Sequence, residues 1–533
     1  MSKRIFISAD HGMAIIYFLQ SDVVPTLLNA GVEVVVLTDD DTKEKIAQRF
    51  TRPGLTFEGL RLKQANDYAR KVSPRLQWLL AYLRRVGGSR RINTEAMDSH
   101  IWEVWVENGW KFRLGIWIPA ALAILLLRTF SFARNFLVRI QNRFIPTPSL
   151  YADLLATHTP DLVIASTAGW RLDRYLLREA HTRGIPTMAA IVGWDNPSSY
   201  AIRGAPMDYA TCWSQLQKDE LVNGSDWSPE RVHIGGIPSY DGYFRKEWLM
   251  PRDEYFKLHG LDPNRKLISY ASSFVHFAPN FPNIEALAKL VSSDSLAEPS
   301  QLLIRLHPSH FQDKPKIFAE ERQRVFDLEK KYTHLHVVQP VALGGSLGYY
   351  GGEDMDEKSS MMAHSDVLVT VYSTMVDETA VHDTPIVAAV IDVPGGWNKP
   401  KKFSLSLKKI GNWPTHIRFR DAKAGRVAQN ESELREIINA YLKNPSLDAA
   451  ERRKFIEDEI TFTDGCRTKL NANNLIVINY AQRCLARITD AARTTNAAAA
   501  KPGSILLPAA IAGASAGVTG GATRARAASE PMR

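Results

Sequence analysis

A buried strand that turns directly into a helix is the feature that most constrains the fold. The segment 366–385 contains the apolar run 367–371, which is typical of a parallel strand covered on both faces. Ser373 and Thr374 follow, and either is a good N-cap for a helix reaching Ala380. The free N–H groups at the start of that helix, together with two hydroxyl groups, predict a phosphate site. Ordinary capping explains the same residues, so this segment alone leaves both interpretations open.

Two further apolar strands end in polar turns. Strand 302–306 is followed by His307, and strand 267–271 is followed by Ser272 and Ser273. Because parallel sheets bind ligands at the carboxyl ends of their strands, we expect the three strand ends to lie together. A histidine at such a place can donate a hydrogen bond to a phosphate or a proton to a leaving group. The three turns together predict a site for a nucleotide diphosphate.

Composition narrows the class of protein. With 533 residues, of which 45% are hydrophobic and 23% charged, the chain is long enough for two large domains. The net charge of +9 suits anionic partners, but no nucleic-acid-binding motif is present, so nucleic acid is not expected as a partner. The 3 cysteines form no close pair, and the start of the chain does not resemble a signal peptide. These features predict a cytoplasmic protein without disulfides.

Strand and helix patterns alternate along most of the chain. They predict an α/β fold with two doubly wound, Rossmann-like domains that face a cleft, over residues 1–240 and 241–490. The first domain carries an insertion at about 63–149 that is rich in basic and aromatic residues. The tail 491–533 is dominated by alanine, glycine and other small residues and is predicted to be disordered.

The insertion contains the apolar run 114–127, which is shorter than the roughly 20 residues that span a bilayer. Cations and aromatic residues surround this run, a composition suited to peripheral docking on an anionic membrane surface. A core helix with a solvated basic edge is equally compatible with the pattern. The cations are Lys111, Arg113, Arg128, Arg134, Arg139 and Arg143.

Four motifs carry a resemblance over residues 4–485. They are Gly193-Trp194-Asp195-Asn196, the segment 232–241, His307-Pro308, and Ala363-His364-Ser365-Asp366 leading to Tyr372-Ser373-Thr374. Their order resembles the GT-B glycosyltransferases and glycerophosphotransferases of bacterial surface polymers, a superfamily shared with UDP-N-acetylglucosamine 2-epimerase. The segment 232–241 is similar to the G-x-P-R-x-D junction of that family, with Ser239 in place of the arginine.

The resemblance implies roles for residues of the second half. In such relatives a His-Pro turn and a Ser/Thr pair contact the phosphates of the donor nucleotide, which here means His307, Ser373 and Thr374. Glu378 resembles the acidic residue that holds the donor ribose. A surface carboxylate near a helix N-terminus explains Glu378 equally well.

The acceptor is expected on the first domain. Asp10 and His11 follow its first strand, and transfer to a hydroxyl group needs a base. His11 fits that role by its ordinary pKa, with Asp10 as the group that orients it or as an alternative base. A polar loop that caps the next helix explains Asp10 as well. Asp195 and Asn196 are further candidates for holding acceptor hydroxyl groups.

The resemblance and the strand ends together imply a transferase that needs neither a metal nor a cofactor. It would move a glycosyl or polyol-phosphate unit from a nucleotide-sugar or related donor to a saccharide or lipid-linked acceptor, at the inner face of the cell membrane. A sugar-nucleotide epimerase and a catalytically silent scaffold docked on the membrane are the alternatives. The run Asp39-Asp40-Asp41 could mark a metal site, but an acidic helix start explains it too.

Overall fold

A computed structural model describes residues 3–107, 110–273, 280–311, 316–338, 352, 354–391 and 407–463. The predicted disordered tail, and all but Gly352 of the glycine-rich segment 343–352, lie outside the described residues.

The first half of the chain forms a seven-stranded parallel sheet with the strand order β3-β2-β1-β4-β5-β6-β7. Its central strands are almost fully buried, as their apolar runs predict. The order reverses between β1 and β4, and helices cover both faces. The strands are β1 (Arg4–Ala9), β2 (Glu33–Thr38), β3 (Leu55–Gly59), β4 (Leu162–Ala165), β5 (Thr187–Ala190), β6 (Tyr209–Cys212) and β7 (Val232–Ile234).

The second half forms a six-stranded sheet, also parallel throughout, with the order β10-β9-β8-β11-β12-β13. The predicted α/β fold with two doubly wound sheets is therefore confirmed. The strands are β8 (Lys266–Ala271), β9 (Ser300–Arg305), β10 (Leu335–Val338), β11 (Val367–Thr370), β12 (Ile386–Ala389) and β13 (Arg426–Ala428).

Neither β3 nor β13 is predicted by the sequence pattern. Both lie at a sheet edge, where only one side of the strand has a hydrogen-bonded neighbour. Most of their residues are partly exposed, so they lack the continuous apolar run that marks a central strand. Edge strands of this kind are recognised from their pairing with the neighbouring strand in the structure, and not from the sequence pattern alone.

Helices connect the strands in both halves. Those of the first half are α1 (Gly12–Ile15), α2 (Val23–Asn29), α3 (Lys43–Phe50), α4 (Leu62–Lys71), α5 (Pro74–Val86), α6 (Glu95–Glu107), α7 (Trp110–Thr129), α8 (Ser131–Phe144), α9 (Ala152–His158), α10 (Arg174–Thr182), α11 (Asn196–Ser199), α12 (Gln215–Ser225) and α13 (Asp241–Phe244). Those of the second half are α14 (Arg252–His259), α15 (Phe281–Ser292), α16 (Lys316–Lys331), α17 (Met355–His364), α18 (Met375–Val381), α19 (Leu407–Ile410), α20 (Pro414–Asp421), α21 (Glu431–Lys443) and α22 (Ala449–Ile460).

The helices α4 to α8 lie between β3 and β4, where a doubly wound sheet needs only one crossover helix. Helices α5 to α8 have a small apolar core of their own. It is completed by two residues that precede β6, and its members include Leu80, Leu83, Val86, Met97, Leu127, Leu137, Ala201 and Ile202. The insertion therefore has an apolar core separate from the cores of the two sheets.

The outer face of the insertion is strongly apolar. Among the described residues no single helix is long and apolar enough to cross a bilayer; segments 117–129 and 131–144 reach that length and hydropathy only as a pair, bent by 118°. We call a group of six exposed large side chains on α7 and α8 the apolar face. It comprises Ile118, Leu122, Leu125, Leu126, Phe132 and Phe136, which are between 46% and 68% exposed.

Two of the cations predicted to flank this face belong to the interior. Arg134 is buried and forms a double hydrogen bond with Asp226, at 2.5 and 2.8 Å. Arg128 binds Asp98 at 2.6 Å and the carbonyl oxygen of Val86. The prediction that Arg128 and Arg134 lie on a basic surface is therefore wrong, because Arg128 joins α7 to α5 and α6, and Arg134 joins α8 to the end of α12. Arg139 and Arg143 are exposed, and the side chains of Lys111 and Arg113 lie outside the described residues.

Candidate active site

A cavity of about 450 Å³ lies between the carboxyl ends of the two sheets. It brings together residues that are far apart in the sequence and that were predicted from strand ends. The predicted residues on its wall are His11, Asp195, Asn196, Ser272, Ser273, His307, Ser373, Thr374 and Glu378. Asp10 lies immediately behind His11 and is buried.

The second sheet contributes three strand ends in register. Ala271, the last residue of β8, pairs with Arg305 of β9 on one side and with Thr370 of β11 on the other. The turns that begin at Ser272, Leu306 and Val371 therefore leave the sheet at one level. The backbone N–H of His307 donates a 2.6 Å hydrogen bond to Oγ of Ser272, which joins two of these turns directly.

The ring of His307 has a defined orientation. Its Nδ1 atom accepts a hydrogen bond from the backbone N–H of Ser309 at 3.1 Å, and the Ser309 hydroxyl lies 2.8 Å from the same atom. A neutral ring that accepts at Nδ1 carries its proton on Nε2. Burial, and then the neighbouring charges of His310 and Lys358, lower the pKa of His307 from 6.5 to about 3. His307 is thus a neutral hydrogen-bond donor, which favours phosphate binding over proton donation to a leaving group.

Ser373 and Thr374 stand before α18, which begins at Met375. Thr374 is the N-cap residue, but its side chain makes no capping hydrogen bond; instead, Oγ of Ser373 accepts from the N–H of Met375 at 3.3 Å. Both residues line the cavity. The Thr374 hydroxyl is therefore not committed to the cap and can donate to a ligand.

Glu378 is buried, so it is not the surface carboxylate that the simpler interpretation assumes. Its Oε2 accepts a 2.7 Å hydrogen bond from the hydroxyl of Tyr243 and forms an ion pair with Lys358. Tyr243 belongs to α13, which links the two halves of the chain. Glu378 and Lys358 both face the cavity as a paired acid and base. The contact of Glu378 with a donor ribose stays a prediction.

The first sheet contributes Asp10 and His11. Nδ1 of His11 lies 2.6 Å from one oxygen of Asp10, which also accepts from the hydroxyl of Ser166 at 2.7 Å. The other oxygen accepts a 2.6 Å charge-assisted hydrogen bond from Nε of Arg171. Burial alone would raise the pKa of Asp10, but the charges of Arg171 and His11 outweigh it and hold the pKa below its ordinary value. Asp10 is therefore an ionised carboxylate.

Asp195 and Asn196 lie at the start of α11, beside His11 on the wall of the cavity. One oxygen of Asp195 accepts from the hydroxyl of Ser199 at 3.0 Å, and burial raises the pKa of Asp195. A Cβ atom at Gly193 would lie 2.5 Å from Oδ1 of Asn196, so a larger residue there would displace the Asn196 amide.

Several residues of the cavity are not predicted from the sequence. Arg85, His100 and Glu103 come from the insertion, for which the sequence pattern predicts either a membrane surface or a core helix and no part of the active site. They lie inside helices, with no strand end to mark them. The one sequence signal is an arginine pair, Arg84 and Arg85, next to the apolar positions of an amphipathic helix.

An aromatic stack closes another side of the cavity. His416 lies between Tyr372 and Trp413, with ring centroids 4.6 and 5.6 Å away and the rings nearly parallel. Nδ1 of His416 donates to the carbonyl oxygen of Ile410 at 2.7 Å, and burial lowers the pKa of this histidine to about 4. Such flat, uncharged surfaces suit the face of a planar ring. The short turn before α20 gives no sequence signal for this role.

The acidic run after β2 is committed to local contacts. Oδ2 of Asp40 accepts from the N–H of Leu62 at 3.3 Å, and Asp41 pairs with Lys63 at 2.8 Å. Within the described part of the chain, no three His, Cys, Asp or Glu side chains are grouped closely enough to hold a metal ion. Asp40 and Asp41 thus contact the start of α4, and not the start of α3 that directly follows them in the sequence.

Two parallel sheets whose polar strand ends converge on one cavity are the architecture of the GT-B fold. Residues 203–475 match the CDP-Glycerol:Poly(glycerophosphate) glycerophosphotransferase family. The match covers just over half of the sequence, so the chain belongs to this family and is an enzyme. The resemblance drawn from the four motifs is thereby confirmed.

Solved structures with a similar course of the chain are distant in sequence. UDP-GlcNAc 2-epimerase from Neisseria meningitidis, bound to UDP-GlcNAc, has a TM-score of 0.47 and 10% identity, with 89% of this chain and 99% of that one covered. UDP-GlcNAc 2-epimerase from Methanocaldococcus jannaschii has a TM-score of 0.48 and 9% identity, with 90% of this chain and 100% of that one covered. The wall teichoic acid polymerase TagF has a TM-score of 0.42 and 10% identity, with 91% of this chain and 89% of that one covered. No curated protein sequence matches the chain significantly.

Proposed function

We propose that the protein transfers a polyol-phosphate unit from a cytidine-diphosphate-activated donor to a hydroxyl group of a surface-polymer intermediate. The observation that carries this proposal is the shared cavity. The side chains of the second sheet that can donate hydrogen bonds to a phosphate share it with the Asp10–His11 pair of the first sheet. The family to which the chain belongs supports the choice of a phosphate-linked unit and a cytidine nucleotide.

The reaction follows from this arrangement. The acceptor hydroxyl oxygen attacks the phosphorus of the transferred unit, its proton passes to His11, and the bond from that phosphorus to the bridging oxygen breaks, so that a nucleoside monophosphate leaves. His307 donates a hydrogen bond to the phosphate as charge builds up, and the Ser373 and Thr374 hydroxyls add further donors. These hydrogen-bond donors stabilise the negative charge that a bound metal ion would otherwise stabilise, which supports the expectation that the enzyme needs no metal.

The experiment is a comparison of donors with and without membrane extract as the acceptor source. CDP-glycerol and a panel of nucleotide sugars are each incubated with the full chain, with and without EDTA. Acceptor-dependent release of CMP from CDP-glycerol is expected. Release of a nucleoside diphosphate would instead mark glycosyl transfer, conversion of a nucleotide sugar without any acceptor would mark an epimerase, and no turnover of any donor would mark a scaffold.

We also propose that the enzyme works at the inner face of the cell membrane. The apolar face presents six large side chains to the outside, far more than an ordinary surface helix shows. Arg139 and Arg143 are exposed on the same helix α8 and suit anionic head groups. A lipid surface is thus the occupant that matches both the apolar and the basic side chains, and it would bring a lipid-linked acceptor close to the cavity.

A further inference from the structure

The cavity contains one cation that its neighbours do not neutralise. Arg85 of α5 lines the wall together with His11 and Asp195. Its Nε atom is buried and makes no hydrogen bond within the described ranges, and its guanidinium lies over the ring of Tyr200, 5.0 Å from the centroid. A charged nitrogen atom that is buried without a hydrogen bond is costly, so the half-buried Arg85 side chain is suited to an anionic ligand.

The other cations on the cavity wall are all paired. Arg171 binds Asp10 at 2.6 Å, Lys358 binds Glu378, and Arg305 binds Asp354 at 2.7 Å. Arg85 has no ion pair with any residue that the structure describes. Asp195 is close enough for the charge of Arg85 to act on it, but the side chain of Asp195 accepts its hydrogen bond from Ser199. Burial raises the pKa of Asp195 despite the opposing effect of the Arg85 charge.

The position of Arg85 separates it from the nucleotide site. The side chains expected to donate hydrogen bonds to the nucleotide phosphates belong to the second sheet, whereas Arg85 belongs to the insertion of the first half and stacks on Tyr200, also of the first half. The neighbouring helix α6 adds His100 and Glu103 to this part of the wall. An anion bound here would therefore accompany the attacking hydroxyl group and not the departing nucleotide.

We propose that Arg85, braced by Tyr200, binds a phosphate group of the acceptor and so makes this part of the cavity an acceptor-specific anion subsite. The inference rests on the proposed function and adds a specificity-determining residue to it. A guanidinium can hold two phosphate oxygens at once, and the aromatic ring beneath it keeps the fork in one plane. The phosphate could come from a phosphate ester at the polymer end or from a diphosphate on a lipid carrier.

Two soluble probes test this subsite. The full chain is first saturated with CDP, which carries the diphosphate of the donor, and is then titrated in a calorimeter with sn-glycerol 3-phosphate or with inorganic diphosphate. Saturable binding of either probe is expected. Tighter binding of glycerol 3-phosphate would assign the subsite to a polymer end, and tighter binding of diphosphate to a lipid carrier.

The variants decide whether Arg85 is responsible. Arg85→Gln should weaken the better probe on the order of 10- to 100-fold, as expected for loss of a charge-assisted hydrogen-bonding pair, while CDP affinity stays unchanged and reports an intact fold. Arg85→Lys should recover part of the loss. Arg75→Gln, an identical change at an exposed position of the same helix, should have no effect.

Three results would overturn the proposal: no probe binding to the CDP-saturated wild type, unchanged probe binding in Arg85→Gln, or a loss of CDP affinity in that variant, which would place Arg85 in the donor site. Failure of the wild type to bind CDP at all would be a different result, since it contradicts the proposed function itself.

Discussion

The Nδ1 atom of His11 lies 2.6 Å from an oxygen of Asp10, and this contact determines which ring nitrogen carries the proton. An ionised carboxylate can only accept, so Nδ1 of His11 carries a proton and Nε2 is the basic atom. Asp10 is kept ionised by Arg171 and by the Ser166 hydroxyl. The geometry therefore supports His11 as the base and Asp10 as the group that orients it.

Substitution of this pair should separate chemistry from binding. His11→Ala should lower kcat about 100- to 10,000-fold with little change in donor affinity, because the lost proton acceptor acts only in the transition state. Asp10→Asn should cause a smaller loss, since the imidazole remains but is less well oriented. Turnover at saturating donor and donor affinity are measured for both, with melting temperature as a control for folding. Near-normal turnover in both would move the search for a base to Asp195.

Substitutions in the donor site should weaken nucleotide binding as well as turnover. His307→Ala and Ser373→Ala each remove a group that faces the cavity at an in-register strand end, and each should lower turnover on the order of 100-fold or more, with weaker nucleotide binding. The exposed His181→Ala serves as the matched histidine control. Full activity together with full nucleotide affinity in both cavity variants would show that the phosphate site lies elsewhere.

Sequence patterns predict the parts of this site that follow from a strand end. The strands β1, β8, β9 and β11 are apolar runs that stop at a polar residue, and parallel packing then requires their ends to meet. The edge strands β3 and β13 have no such run and are missed.

The remaining residues of the site depend on tertiary packing. Arg85 and His416 reach the cavity from helices whose placement no local pattern specifies. The same limit explains Arg134, which resembles a surface cation in the sequence and is instead buried against Asp226. An arginine within an apolar helix has the same appearance in both settings, and only the position of a distant carboxylate distinguishes them.

Membrane docking should depend on the apolar face and on exposed cations. The full chain should sediment with anionic vesicles, and binding should fall as ionic strength rises because the charge attraction is screened. Phe132→Ser combined with Phe136→Ser, or Arg139→Glu combined with Arg143→Glu, should each release the protein without loss of fold.

Arg134 is unsuitable for this test, because its removal breaks a buried ion pair and costs on the order of 3 kcal/mol in stability. Retention of both double variants on vesicles would contradict the docking surface. Concentration-dependent dimers that disappear in the phenylalanine variant would assign the apolar face to a second copy of the chain instead.

Burial of His416 gives a stability change with a definite sign. Its pKa falls from 6.5 to about 4 in the folded protein, so the unfolded chain binds a proton first as the pH drops. The stability contributed by the neutral ring is present above 6.5 and is lost as the pH falls toward 4. Glutamine does not titrate. As the pH falls through that window, the free energy of unfolding of His416→Gln should therefore rise relative to that of the wild type, by up to about 1.4 kcal/mol per pH unit.

Urea unfolding at several pH values measures this difference. The exposed His181→Gln is the matched control and should show a difference from wild type that is constant with pH. A constant difference for His416→Gln as well would mean that the ring is not buried as described.

The identity of the released nucleotide tests the central claim most directly. CDP-glycerol labelled in the glycerol is incubated with membrane extract and the full chain, and the products are separated. Transfer of a glycerophosphoryl unit within the shared cavity predicts one CMP for each label that enters the membrane fraction, with both signals lost in His11→Ala and His307→Ala. Release of CDP, incorporation that survives both substitutions, or CMP release without incorporation would contradict the account.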